Sequence, residues 1–146
     1  MKFSDKSRSK SSSRLRLLLK GTLIFLLICV AGVLALSFAI ELSVKRTCEM
    51  AVREHPGDKV DALRMCVKSD KYGYDAHHYR MNNRVVWALG QLGDERALPF
   101  LRNLATDRPC DHETNLCQGE IQQAIRKLES NAFNLPRFLW HGVLKY

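Results

Sequence analysis

The feature that most constrains this chain is an uncharged, apolar run of twenty residues at positions 21–40. A helix rises about 1.5 Å per residue, so the run spans roughly 30 Å, the thickness of a bilayer's hydrocarbon core. Basic residues that flank a membrane span tend to stay in the cytoplasm. The sequence therefore predicts a transmembrane helix over residues 15–42, after a disordered, basic cytoplasmic tail over residues 1–14. Seven basic residues precede the run: Lys2, Lys6, Arg8, Lys10, Arg14, Arg16 and Lys20.

A cleaved signal peptide is the alternative interpretation of this run. Ser37 and Ala39 supply small residues at a spacing that suits signal peptidase. The apolar part of a signal peptide is usually only about 7–15 residues long, which favours a retained anchor. We expect a single-pass protein of the bacterial inner membrane, with residues after Glu41 in the periplasm. An endoplasmic reticulum or Golgi membrane with a lumenal domain is the alternative.

The net charge of +8 comes mainly from the tail. Residues 1–20 carry seven basic and one acidic side chain, whereas residues 41–146 carry 16 basic and 14 acidic ones. A nearly balanced domain argues against nucleic-acid binding, and anionic lipids account for the basic tail. The predicted partners are therefore the lipid bilayer and another envelope or membrane protein. No small-molecule substrate is expected.

After the run, apolar residues recur with helical spacing and no stretch alternates as a half-buried strand would. The sequence therefore predicts an all-α fold. The helical stretches are marked by Cys48, Ala51 and Val52; by Val60, Leu63, Cys66 and Val67; by Val85, Val86, Ala88, Leu89 and Leu92; by Ala97, Leu98, Leu101, Leu104 and Ala105; and by Ile121, Ala124, Ile125 and Leu128.

An internal repeat with a period of 36 residues links these stretches. Val85, Ala88, Leu89 and Leu92 correspond to Ile121, Ala124, Ile125 and Leu128, and the turn Gly57-Asp58 corresponds to Gly93-Asp94. In each turn, Gly can end one helix and Asp can cap the next. Helical hairpins of this length stack into an α-solenoid.

Residues 84–101, RVVWALGQLGDERALPFL, resemble the HEAT-like repeat in the variant first associated with phycobilisome lyases. The shared pattern is Ala-Leu-Gly-x-Leu-Gly-Asp followed by an Arg-Ala-x-Pro-x-Leu helix. The resemblance implies a stack of about two and a half helical hairpins over residues 43–130, used mainly as a protein-binding scaffold. It implies no catalytic residues, because the matched positions are packing and turn positions.

Four of the five cysteines lie on the predicted exported side, where disulfides form. Cys48 and Cys66 lie nine residues on either side of Gly57, so an antiparallel hairpin would bring them together. Cys110 and Cys117 flank a six-residue loop. We predict the disulfides Cys48–Cys66 and Cys110–Cys117. A zinc site at Cys110, His112 and Cys117 is the alternative for the second pair, although the spacing fits no standard zinc module.

Two aromatic segments are candidates for binding a partner. The first is the connection that contains Tyr72, Tyr74, His77, His78 and Tyr79, which could also be an ordinary link between repeats. The second is the tail over residues 131–146, with Phe138 and Trp140. This tail could cap the solenoid, dock to a partner or lie on the membrane surface.

These features predict a non-enzymatic, membrane-anchored scaffold or an accessory subunit of a membrane complex. We find no nucleophile elbow, phosphate loop or metalloprotease motif, and predict no catalytic residue, cofactor or metal. The rival hypothesis is an exported enzyme or metal-handling protein that uses His77, His78 and the Cys110–Cys117 loop.

Overall fold

The structure is a computed structural model that describes residues 6–69, 76–106, 116–130 and 133–145. All regular elements within these ranges are helical, which confirms the all-α prediction. They are α1 (Lys6–Glu54), α2 (Lys59–Lys68), α3 (Ala76–Leu92), a short 3-10 helix (Glu95–Ala97), α4 (Leu98–Leu104), α5 (Gln118–Glu129) and α6 (Leu135–Leu144).

The chain divides into two compact units, one ending at Ser37 and the other beginning at Phe38. In the first unit, α1 exposes its large apolar side chains: Leu18, Leu19, Leu23, Ile24, Phe25, Leu26, Leu27, Ile28, Val30, Val33, Leu34 and Leu36. By length and composition, the described part of the chain holds one helix able to cross a membrane, and it lies near the N-terminus.

The start of α1 differs from the prediction. The helix begins at Lys6, so the structure makes residues 6–14 helical where the sequence predicted a disordered tail. Once a helix is nucleated, each added residue contributes a hydrogen bond, and Lys, Arg and Ser do not stop it. The helix also continues to Glu54 without a break, so the predicted span and the first repeat helix are one element.

In the second unit, the predicted apolar stripes form one core. The buried residues are Val44, Cys48, Ala51, Val60, Ala62, Leu63, Cys66, Val85, Val86, Leu89, Leu92, Ala97, Phe100, Leu101, Ile121, Ala124, Ile125 and Leu128. Trp87 packs against this core with its side chain half-buried.

The two predicted turns have the expected chemistry. Gly57 and Gly93 both have positive φ (147° and 62°), which favours glycine over other residues. The carboxylate of Asp58 accepts a hydrogen bond from the Val60 N–H (3.1 Å). The carboxylate of Asp94 accepts one from the Arg96 N–H (3.0 Å). Each aspartate therefore caps the helix that follows its turn.

Contacts between equivalent positions show that the repeats stack. Arg96 bridges the two turns, since its Nη2 lies 3.1 Å from Asp58 Oδ2 and 2.7 Å from Asp94 Oδ2. Lys127 Nζ donates to Gln91 Oε1, and these residues are 36 positions apart. The sequence repeat is therefore also a structural one.

Candidate interaction surface

Helix α6 is held at its N-terminal end by Asn134. The Asn134 side-chain oxygen accepts a hydrogen bond from the Arg137 N–H (3.2 Å), and Pro136 lies in the first turn, where a missing N–H costs little. The Asn134 amide donates to the Gln91 carbonyl (2.8 Å). One side chain thus both starts α6 and attaches it to the end of α3.

The inner side of α6 contacts α1 at three points. The rings of Trp140 and Phe38 meet edge to face, with centroids 5.2 Å apart. His141 Nδ1 lies 3.4 Å from Glu41 Oε1. Lys45 Nζ donates to the carbonyl oxygen of Leu144 (2.7 Å), one of the acceptors that the end of a helix leaves unused.

Glu41 is a charged residue buried beneath α6. It is only 1% exposed, and a buried carboxylate is stable only beside compensating groups. His141 is one such group. Lys127 from α5 is near enough for an electrostatic interaction with Glu41. Burial lowers the pKa of Lys127, and the charge of Glu41 opposes that shift. Helix α6 thus contacts α1 through the polar pair His141 and Glu41 as well as through ring packing.

Three large apolar side chains in α6 and in the short segment before it are exposed. Phe133 is 72% exposed, Phe138 73% and Val143 69%. The rings of Phe133 and Phe138 have centroids 5.3 Å apart. We call Phe133 and Phe138 the aromatic patch. Neighbouring exposed aromatics on an ordered helix are typical of interaction surfaces, since aromatic side chains often dominate interface energies.

The predicted partner-binding residues fall into three groups. Phe138 belongs to the aromatic patch. Trp140 instead points inward onto Phe38, so its side chain is half-buried and attaches α6. The others are not placed by the structure: Tyr72 and Tyr74 lie outside the described residues, and His77, His78 and Tyr79 lie at the start of α3 with side chains outside the described part.

The predicted Cys48–Cys66 disulfide is absent from the structure, where both residues are thiols in the same core. Equal spacing from a turn brings two residues near each other, but a disulfide also needs their Cβ vectors to converge. Burial raises the pKa of the Cys48 thiol to about 11. Cys117 is disulfide-bonded. Its predicted partner Cys110 lies outside the described residues, so that pairing stays a prediction.

Among the described residues, a group of side chains that could hold a metal ion lies at the turn between α1 and α2. The ligand atoms of Glu54, His55 and Cys66 all lie within 4.8 Å of one another. The sequence did not suggest this cluster, because its members are up to twelve positions apart in no familiar spacing. The sequence suggests a metal site only at Cys110, His112 and Cys117, and Cys110 and His112 lie outside the described residues.

Sequence reasoning also missed the residues that position α6. The order Asn134-Leu135-Pro136 is a recognisable helix start, so this signal was available. The role of Glu41 had no local signal, because it depends on contacts with residues about a hundred positions away.

The sequence pattern of the PBS lyase HEAT-like repeat matches residues 83–107, which cover most of α3, the 3-10 helix and α4. The chain therefore contains a HEAT-like repeat. No curated protein and no solved structure matches the chain. In the HEAT-like repeat, the Gly93-Asp94 turn and the buried residues of α3 and α4 are structural parts, and the aromatic patch lies beyond the matched residues.

Proposed function

We propose that this protein is a non-enzymatic scaffold, anchored in the bacterial inner membrane, that binds another membrane or envelope protein on the periplasmic side. It would act as an accessory subunit of the complex so formed. The observation that carries this proposal is the aromatic patch, an exposed apolar surface on a helix fixed at both ends. HEAT-like repeats suggest protein interaction, which supports the same conclusion.

The membrane anchor is supported by the exposure of the apolar side chains of α1. The most apolar window of this helix is only 6% buried, whereas a core helix of a globular domain would be mostly covered. Exposing a dozen large apolar side chains to water would be unfavourable by about 1.5–3 kcal/mol for each. A bilayer removes that cost. The basic residues before the span favour a cytoplasmic N-terminus and a periplasmic domain.

The partner surface is supported by the way α6 is held. The inner side of α6 is attached to the rest of the domain through Asn134, Trp140, His141 and the Leu144 carbonyl. These contacts fix the helix, so its outer side is ordered before a partner binds. A preorganised surface loses little conformational entropy on binding. Truncation of a central aromatic anchor typically costs about 2 kcal/mol or more of binding free energy, roughly a thirtyfold loss of affinity.

A crosslinking pull-down from native membranes tests this proposal. The protein carrying Phe133→Ser with Phe138→Ser should lose the partner captured by the unchanged protein. Met65→Ser is the matched control, because Met65 is an exposed apolar residue (50%) on α2, away from the patch. The control should capture the partner normally, and both proteins should keep the same helicity by circular dichroism. Equal capture by the double variant and the control would refute the patch as the binding surface.

A further inference from the structure

The turn between α1 and α2 brings together a carboxylate, an imidazole and a thiol. Glu54 is the last residue of α1, His55 follows it directly, and Cys66 comes from α2. Their ligand atoms all lie within 4.8 Å of one another. This cluster lies apart in sequence from α6, and the proposed scaffold function does not use it.

The backbone around the cluster is well defined. The His55 N–H donates to the Ala51 carbonyl (2.8 Å), which continues the hydrogen-bond pattern of α1 by one residue. Gly57 then reverses the chain, and Asp58 caps α2. Cys66 is only 4% exposed, since it lies on the side of α2 that faces the core. The three side chains are thus presented by two helix ends and a capped turn.

The imidazole of His55 has an unsatisfied nitrogen. His55 Nε2 is buried and has no hydrogen-bond partner among the described residues. A buried polar atom without a partner typically costs about 1–3 kcal/mol. An imidazole nitrogen beside a thiol and a carboxylate is a ligand set that suits a transition-metal ion.

We propose that Glu54, His55 and Cys66 bind one Zn²⁺ ion, with a water molecule in the fourth position. The carboxylate and the thiolate each carry one negative charge, so together they balance a divalent cation. The thiol proton of Cys66 is released to solvent as the Zn–S bond forms. Mixed sulfur, nitrogen and oxygen ligands favour zinc over the oxygen-binding cations calcium and magnesium.

The geometry requires only small movements. Zinc–ligand distances of about 2.0–2.3 Å place tetrahedral ligands roughly 3.3–3.8 Å apart. The separations of up to 4.8 Å therefore have to close by about 1 Å. Glu54 and His55 are half-buried at the turn, where side-chain rotation alone can supply this movement. The ion would cross-link the first helical hairpin of the domain.

Zinc binding to the full-length protein in detergent tests the proposal. After chelator treatment and dialysis, the protein should bind one equivalent of Zn²⁺ by elemental analysis, and zinc should raise its melting temperature. Co²⁺ in place of zinc should give a thiolate-to-metal charge-transfer band. Removal of a residue that merely orients a metal ligand weakens binding by about 10–100-fold. We therefore expect His55→Ala and Cys66→Ser to raise the Kd at least about tenfold.

Cys48→Ser is the matched control, because Cys48 is a buried thiol in the same core but lies outside the cluster. This variant should keep zinc binding and the cobalt band. His55→Ala, at a half-buried position, separates loss of a ligand from loss of the fold, which circular dichroism monitors. The proposal is overturned if His55→Ala binds zinc as tightly as the unchanged protein or if the cobalt complex lacks a thiolate band. A Cys48–Cys66 disulfide in the non-reduced protein would also overturn it, since that bond removes the thiolate.

Discussion

Substitution of Gly90 by alanine is expected to lower the stability of the domain. Gly90 lies in α3 within the Ala-Leu-Gly part of the repeat pattern, where α3 packs against α5. A Cβ atom built at Gly90 would lie 2.8 Å from the Cα of Ala124 and 2.9 Å from its Cβ. Contacts this short with backbone atoms cannot be relieved by rotating a side chain. The two helices would have to separate.

The expected effect of Gly90→Ala is the difference between two opposing terms. Alanine in a helix interior is favoured over glycine by roughly 1 kcal/mol. Inserting a methyl group into a closely packed interface costs typically about 1–3 kcal/mol, and more when the backbone must move. Because backbone atoms of Ala124 are in the way, we take the upper part of that range. The free energy of unfolding should then fall by about 1–2 kcal/mol, and the melting temperature by roughly 5–15 °C for a domain of this size.

Gly142→Ala is the matched control, since Gly142 lies in α6 with nothing within 4 Å of an added Cβ. Here only the helix-propensity term remains, so the variant should be as stable as the unchanged protein or more stable. Thermal unfolding of the full-length proteins in detergent, followed by circular dichroism, measures both. A Gly90→Ala protein as stable as Gly142→Ala would show that α3 and α5 do not approach as closely as described.

Two further predictions concern charge and the anchor. The side-chain hydrogen bond from Arg96 lowers the pKa of Asp94, so the carboxylate stabilises the fold above the unfolded pKa near 3.8, and this contribution is lost as pH falls through the lower folded pKa. Asp94→Asn keeps a capping oxygen but should flatten the decline in melting temperature below about pH 4; an unchanged decline would contradict this. In carbonate extraction, the full-length protein should stay with the membrane pellet, and release of a soluble domain beginning near Ile40 would instead indicate a cleaved signal peptide.

The helical repeats could be predicted from the sequence because their signals are local. The glycine and aspartate of each turn, and the apolar spacing of each helix, reappear in the structure as positive φ angles, caps and one core. The period of 36 residues even anticipates which positions meet, since Gln91 and Lys127 are hydrogen-bonded. Stacked hairpins bury equivalent positions against each other, so a repeat in sequence specifies contacts in space.

The pairing of Cys48 and Cys66 could not be predicted from sequence spacing alone. Symmetry about Gly57 correctly places Cys48 and Cys66 in one core. It carries no information on the rotation of each helix about its own axis, which decides where each thiol points. In the structure, Cys66 lies beside Glu54 and His55. Which side chains meet between the two helices of a hairpin therefore has to be read from the three-dimensional structure, even where the sequence shows which positions lie opposite each other.

The rotation of α6 about its own axis likewise decides which of its aromatic residues can bind a partner. Phe138 and Trp140 are two positions apart and so differ by about 200° around a helix, which means that they face nearly opposite sides. Sequence composition marks both as anchors, and only one of them can belong to the outer surface. The choice is made by Phe38 and Glu41, which receive Trp140 and His141 and turn α6 so that Phe138 joins Phe133 outside. The contacts of Phe38 and Glu41 with α6 thus leave Phe138 on the exposed side of the helix. This is why Phe133 and Phe138 are the residues to substitute when binding is tested, while Trp140 reports on the attachment of the helix.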